Sequence, residues 1–380
     1  MVQIAFITHE DKLLGSSRSL LNLIDGLQNM NIVPLIVSES GTYLQKASES
    51  RMINYVSTLP VWWMTPKKIT CKTRRLVIIK LSDSFFQLNH LARQSQFDVI
   101  YSNSSVVPVG NLVAKRNHLP HIWHIREFGN LDFSLRFIFP EWLCRKFILS
   151  STAVICNSKA VREYHFGRKP RKNVHVIYNG VATRHQYDTY KEKASQTTSN
   201  HVYTFLIIGS LSARKGQDTA IRALAELKQR GYNARLLIAG SGREPSLTNL
   251  QTLANELGLS AEVEFLGYIP DPYEAYFKSD CLLMCSEYEA FGRVTAEAMS
   301  ACLPVIGKNS GGTPEVLSDN ETGFLYNTRD ELVGYMEKLV RDRELGRRMG
   351  LAGWQRAKEM FNIEDYAANV YKVIQSVIKQ

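Results

Sequence analysis

Short apolar runs recur along this chain, with helical patterns between them. In the first half the runs cover residues 2–8, 32–37, 98–102, 121–125 and 153–156. Between them, residues 17–29, 75–93, 106–117 and 135–149 carry apolar positions at three- and four-residue spacing, which predicts helices. Buried strands alternating with helices predict a parallel sheet covered on both faces. The second half repeats the alternation, with runs at 203–208, 235–239, 263–266 and 281–285. Residues 182–200 are polar and lack a period, which predicts a linker. The last segment opens on a cap-like Asn362 with Asp365 three residues on, and carries a stripe of Ile363, Tyr366, Val370, Val373 and Val377. The expected organisation is therefore a domain over 1–182, a linker over 183–200, a second domain over 201–361 and a closing helix over 362–380.

The segment after residue 285 carries the densest chemistry. The run from Ser286 through Glu289, Phe291, Gly292 and Arg293 to Glu297 and Met299 reads as strand, turn and helix, with one acid before the helix and one inside it. N–H groups at a helix start lack intrahelical acceptors and carry partial positive charge, so an anion such as a diphosphate fits there. At about 1.5 Å per residue, eight residues of helix separate the acids by roughly 12 Å. Acid pairs that act on one glycosidic bond sit about 5 to 9.5 Å apart. The wider spacing suits a molecule with a hydroxylated group at each end and phosphates between them. Taken alone, a Glu-x7-Glu pattern also describes two solvated helix acids.

Downstream come Leu303-Pro304-Val305-Ile306, then Gly311-Gly312-Thr313-Pro314-Glu315, then Glu321-Thr322-Gly323-Phe324-Leu325. In this order, the stretch from Asp280 to Tyr326 resembles the group 1 retaining glycosyltransferases of the family 4 type. That resemblance implies an α/β chain of GT-B fold: two Rossmann-like, doubly wound parallel-sheet domains facing across a cleft, tied by the last helix. It implies a retaining transfer of sugar from a nucleotide-sugar donor to an acceptor hydroxyl. No cofactor and no metal are expected, because protein cations and helix ends supply the positive charge.

The same resemblance assigns roles to the strand ends. Lys215, before Gly216, matches a lysine that grips the donor diphosphate. Ser210 stands where an arginine usually sits, which leaves Arg214 as the substitute. Gly240 and Gly242, following the run 235–239, would let backbone approach the nucleotide and equally describe a plain turn, while Tyr268 lies where the family's main chain meets the base. Backbone at Phe291, Gly292 and Arg293 is expected on donor hydroxyls or phosphate, Glu289 on the sugar and Glu297 on the ribose. In the first half, Gly15 and Ser16 stand in the loop after the first strand, where the family often has two glycines. His124 matches the histidine placed against the transferred sugar. Arg18, Asn103 and Arg126 are expected on the acceptor side.

Composition changes the picture in one respect. The 380 residues, 44% hydrophobic, suffice for two cores. No apolar stretch reaches the roughly 18 residues of a membrane span, and residues 2–8 are too short for a secretory signal. The six cysteines read as buried free thiols of a reducing cytoplasm. Charge, however, is uneven. Residues 1–180 hold 23 lysines and arginines against 11 acids, a net of +12, while the other 200 residues hold 23 against 25, a net of −2. Residues 61–81 contain no acid, and there Trp62 and Trp63 accompany Lys67, Lys68, Lys72, Arg74, Arg75 and Lys80. Such a mixture suits an anionic membrane surface, and equally a solvated helix edge with two core tryptophans. A lipid-linked acceptor at the inner face of the membrane, in envelope polysaccharide or glycolipid assembly, follows as an expectation. The rival readings are an epimerase or hydrolase on the same fold, a scaffold without activity, and a basic nucleic-acid-binding protein. No nucleic-acid recognition motif is present to favour the last.

Overall fold

A computed structural model describes residues 1–9, 15–39, 42–58, 61–196 and 202–379. Two compact units divide the chain: unit 1 is Met1–Gly180 with Ile363–Gln380, and unit 2 is Val181–Asn362. Unit 1 contains β1 (Val2–Ile7), β2 (Ile32–Ser38), β3 (Asn54–Ser57), β4 (Met64–Thr65), β5 (Val99–Asn103), β6 (His121–Ile125), β7 (Arg136–Phe137), β8 (Ala153–Cys156) and β9 (Val174–Val176). Seven of these form a parallel sheet in the order β3-β2-β1-β5-β6-β8-β9, while β4 and β7 pair antiparallel as a separate ribbon. Unit 2 contains β10 (Tyr203–Ile208), β11 (Ala234–Ala239), β12 (Val263–Gly267), β13 (Cys281–Met284), β14 (Val305–Lys308) and β15 (Gly323–Tyr326), all parallel in the order β12-β11-β10-β13-β14-β15. The central strands of each sheet are buried on both faces, which is why they are continuous apolar runs rather than alternating ones, while the edge strands β3, β9 and β12 are only partly buried.

The closing helix, Ile363–Ile378, belongs to unit 1 and packs on the helix Gly15–Leu27. Its stripe of Ile363, Tyr366, Val370, Val373 and Val377 is buried. Among the described residues, no helix is long and apolar enough to cross a membrane.

Three expectations need correction. The stretch 182–200 is not a linker over the part described: Arg184–Ser195 is a helix of unit 2, started by a Thr183–Gln186 capping box. Tyr187 is buried and its carbonyl accepts from the Trp354 indole at 2.8 Å, while Tyr190 stacks on Tyr273 at 4.0 Å. Three-residue spacing of two tyrosines in a polar segment is a thin stripe, so the period was not visible. Residues 197–200 of that expected linker lie outside the described residues. The expected helix 135–149 begins only at Glu141, because Pro140 cannot sit inside a helix and the preceding residues form β7. Cys71 is exposed and Cys302 half-buried, so four of the six thiols are core groups. Burial pushes the Cys144 and Cys285 thiols up to about 12.

Unit 1 also buries three neutral imidazoles. His121 bridges Ser102 and Ser151, at 2.9 Å each, and burial, with Lys115 nearby, lowers its pKa to about 3. Burial likewise lowers His124 and His165. Asp132 opposes them, since burial raises its carboxyl to about 7 despite two backbone amide donors. A histidine depressed in the folded state takes up a proton on unfolding below its ordinary pKa near 6.5, so its contribution is full above that pH and falls as pH drops. Asp132 has the reverse sign between about 7 and its ordinary range. Four depressed histidines, the half-buried His175 among them, oppose one raised aspartate, so below about pH 6.5 the unfolded chain binds more protons than the folded one and stability falls as pH drops. Urea unfolding of the Trp354→Phe chain, whose remaining tryptophans all lie in unit 1, should therefore show a sharply lower midpoint at pH 5.5 than at pH 7.5. Equal midpoints would contradict the buried, uncharged imidazoles.

Candidate functional site

In unit 2 the sheet reverses direction of growth between β10 and β13, and loops leaving the C-terminal ends of strands at such a point are where ligands bind in open α/β sheets. Three loops meet there. The loop after β10 carries Ser210, Arg214 and Lys215, the loop after β13 carries Glu289, and the loop after β14 carries Gly311 and Gly312. Backbone bonds hold them in register: Glu287 N–H donates to the Arg214 carbonyl at 3.1 Å, and Gly312 N–H to the Glu289 carbonyl at 2.7 Å. A side-chain carbon on Gly311 would lie 2.4 Å from the Glu289 carbonyl oxygen, and Gly311 sits at φ +57°. The glycine pair is thus the bed on which the acid's loop lies. The Lys215 ammonium and a Glu289 carboxylate oxygen form an ion pair, with the lysine side chain 29% and the glutamate 16% exposed. Two residues 74 positions apart, each expected to touch the donor, are brought into contact.

Gly292, at φ 86° and ψ 53°, precedes the helix Arg293–Ser300. This left-handed conformation favours glycine and turns the chain so that the first N–H groups of the helix face away from its own carbonyls. Phe291 is buried edge-on against Phe361 at 5.4 Å, so its ring belongs to the core of unit 2. Thr295, in the first turn, is buried and its hydroxyl has no hydrogen-bond partner.

Other expected residues stand differently. Glu297 is buried and already engaged: Arg293 donates to one oxygen at 2.6 Å, and Tyr276 donates to the other at 3.2 Å. A ribose hydroxyl would have to share these oxygens. Gly240 and Gly242 do not border open space, since a side chain on either would strike Gly209 or Leu211; they let two neighbouring loops of the protein touch. Ser210 is exposed, and its carbonyl accepts from Gln217 at 3.1 Å. Arg214 is fixed to the site by its carbonyl, and Tyr268 stands more than half exposed after β12.

In unit 1 the ends of β5 and β6 lie side by side, with Asn103 opposite His124. His124 is fully buried, not presented to solvent. It shares a face of β6 with Ile122, under Tyr366 of the closing helix, and its Nδ1 meets the Tyr101 hydroxyl at 2.6 Å. Among the described residues its Nε2 has no hydrogen-bond partner. Burial, and then the Arg126 charge, hold its pKa well below the ordinary value, so the ring is neutral and offers hydrogen bonding rather than charge.

Arg126 and Asn103, expected on the acceptor side, are interior residues. The guanidinium donates to Asn103 at 2.6 Å, Asn179 at 2.6 Å and Tyr366 at 2.9 Å. A buried cation needs oxygen acceptors, and these neutral groups supply them. Glu127 was not anticipated; it is buried and accepts from the Ser104 hydroxyl at 2.8 Å. Gly15 opens the helix Gly15–Leu27 with none of the described residues crowding it, the Ser16 carbonyl lies 3.5 Å from the Asn103 amide, and Arg18 is half-buried.

The model of the group 1 glycosyl transferases matches residues 188–356, and the model of glycosyltransferase family 4 matches residues 14–185. The chain belongs to the group 1, family 4 type glycosyltransferases. Its fold is GT-B: the Anabaena protein HepE, solved with UDP-glucose, superposes with a TM-score of 0.80 over 99% of this chain and 100% of that one, at 19% identity. A glycosyltransferase from Rickettsia africae superposes with a TM-score of 0.79, over 100% of this chain and 99% of that one, at 18% identity.

Among curated relatives of this family member, the N-acetyl-alpha-D-glucosaminyl L-malate synthase of Bacillus anthracis is 27% identical over 234 residues, 60% of this chain and 61% of that protein. The GDP-mannose-dependent alpha-(1-6)-phosphatidylinositol monomannoside mannosyltransferase of Mycobacterium tuberculosis is 35% identical over 161 residues, 40% of this chain and 41% of that protein. The chain thus spans about two-fifths to three-fifths of the length of these relatives.

Gly311→Ala should cost about 1 to 3 kcal/mol, through strained φ and the clash with the Glu289 loop. Gly334→Ala, in an open helical position, is the control and should be neutral or stabilising. Urea midpoints check both; equal effects would mean that the glycine bed does not support the acid's loop.

Proposed function

We propose that the chain is a retaining glycosyltransferase that moves a sugar from a nucleotide-sugar donor to an acceptor hydroxyl, in cell-envelope polysaccharide or glycolipid assembly. The observation that carries this reading is the convergence of Lys215 and Glu289 beside the Gly292 helix start. A cation, an acid and a row of N–H donors within one set of loops match the three parts of a sugar diphosphate. The UDP-glucose in the HepE structure and the GDP-mannose named for the mycobacterial relative favour that donor class.

In the absence of donor, Lys215 and Glu289 neutralise each other. An arriving diphosphate takes the ammonium and the N–H groups of the helix start, which frees the carboxylate to accept from sugar hydroxyls. The bond from the anomeric carbon to the phosphate oxygen then breaks while the acceptor oxygen bonds to that carbon from the same face. The acceptor proton passes to the departing phosphate, so no separate base is required. Lys215, the helix start and Arg214 stabilise the charge that develops on the leaving group, in the role a metal takes elsewhere. His124, kept neutral, contributes its unpartnered Nε2 only once substrate displaces its cover. The acceptor we favour is lipid-linked, with the chain working from the cytoplasmic side as a peripheral protein.

A thermal-shift screen against UDP-, GDP- and ADP-sugars tests the donor class, since a ligand at 100 times its Kd stabilises by about 2.7 kcal/mol. One nucleotide series should stabilise the chain; stabilisation by none would sink the reading. Lys215→Ala should weaken donor binding by roughly ten- to a hundredfold, and Glu289→Gln should lower turnover with a smaller effect on nucleotide binding. Donor consumption without any acceptor would instead support a hydrolase, and interconversion of the donor sugar an epimerase.

A further inference from the structure

Of the 24 residues in the helix Cys71–Gln94, those buried are Ser84, Leu88 and Ala92, all in its C-terminal half. The N-terminal half stands off the core, and there the chain exposes large apolar side chains. Leu76, Ile78 and Ile79 are each about half exposed. Positions 72, 76, 79, 83 and 86 recur at helical spacing on the side opposite 84, 88 and 92, so Lys72, Leu76, Ile79 and Phe86, the last 68% exposed, form one outward stripe interrupted by Asp83. Arg75 and Lys80 flank it, and no ion pair joins Lys72, Arg75 or Lys80 to an acid among the described residues.

The surface continues beyond the helix. Arg74 donates to the Ile138 carbonyl at 3.0 Å, and the β4–β7 ribbon sets Thr65 against Arg136. On these connected segments Trp142 is 68% and Trp62 38% exposed, while Trp63 is stacked on Trp123 in the interior. The paired tryptophans therefore divide, one to the core and one to the surface. Lys67, Lys68 and Arg136 are also exposed here.

We propose that this face of unit 1, Trp62 with residues 71–82 and Trp142, docks on an anionic lipid bilayer. Aliphatic and indole groups enter the headgroup boundary while the cations stay at the phosphates. A second copy of the chain is disfavoured, because a two-fold contact would set these cations against their own copies. A nucleic acid is disfavoured too, since Leu76, Ile78 and Ile79 have no ring to stack on a base and no polar group to read one. The purpose of the surface rests on the lipid-linked acceptor proposed above; its geometry does not.

Co-sedimentation of the full chain with vesicles tests this, using phosphatidylcholine alone or mixed with phosphatidylglycerol. Binding should require phosphatidylglycerol and weaken with salt. Lys72→Gln, Arg75→Gln and Lys80→Gln together should lower the partition roughly a hundredfold. Leu76→Ser with Ile79→Ser should lower it as well, with the salt dependence kept. Unchanged partition in both variants overturns the proposal, as does a dimer that these variants dissolve in the absence of lipid, or polynucleotide binding without vesicle binding. The nucleotide-sugar thermal shift is read on the same samples. A donor-stabilised chain that ignores vesicles refutes this surface alone, whereas vesicle binding without any donor shift refutes the transfer reading alone.

Discussion

The ion pair between Lys215 and Glu289 is the contact on which the rest of unit 2 converges. Neither residue is rigid on its own. The lysine sits in a short turn between β10 and its following helix, and the glutamate in a loop after β13. What places them is backbone: Arg214 and Glu289 carbonyls each accept from a neighbouring loop, and Gly311 and Gly312 let that neighbour approach without a side chain in the way. A motif that looks in sequence like a turn is, in three dimensions, a support for an acid more than twenty residues upstream.

Unit 1 answers with a different device. It buries a guanidinium among neutral oxygens, with the uncharged imidazole of His124 nearby. Arg126 joins β6 to β5, to the segment after β9 and to the closing helix through Asn103, Asn179 and Tyr366. This arrangement keeps His124 neutral and fixes the ends of the central strands, so the residues at those ends act first as scaffold. The basic excess of the first half is distributed accordingly: among the described residues Arg126 goes to the interior, and Lys67, Lys68, Lys72, Arg75 and Lys80 face solvent on the stretch that also exposes Leu76, Ile78 and Ile79.

Much of the architecture was legible from period alone. The runs at 121–125, 153–156 and 203–208 became strands with those bounds, because fully buried strands of a parallel sheet must be apolar on both faces. Short or amphipathic edge elements were not legible: β3 and β9 carry few apolar residues, and the helix Arg184–Ser195 shows its core only through Tyr187 and Tyr190. The candidate site divided in the same way. Lys215 and Glu289 were readable from their motif and form an ion pair, whereas Gly240, Gly242, Asn103 and Arg126 are engaged by packing and internal hydrogen bonds that no local pattern announces.

By itself, the sequence determined the two β/α halves, the order of the loops at their strand ends, and the asymmetry of charge, because each follows from local period and composition. Only the tertiary structure decided which polar residues remain for a ligand. Whether a side chain at a strand end faces solvent or the interior depends on which distant helix or loop covers it. Tyr366 covers His124, Arg293 and Tyr276 occupy Glu297, and the Cys71–Gln94 helix leaves Leu76 and Ile79 uncovered. Burial depends on contacts between residues far apart in the chain, and no local pattern encodes it.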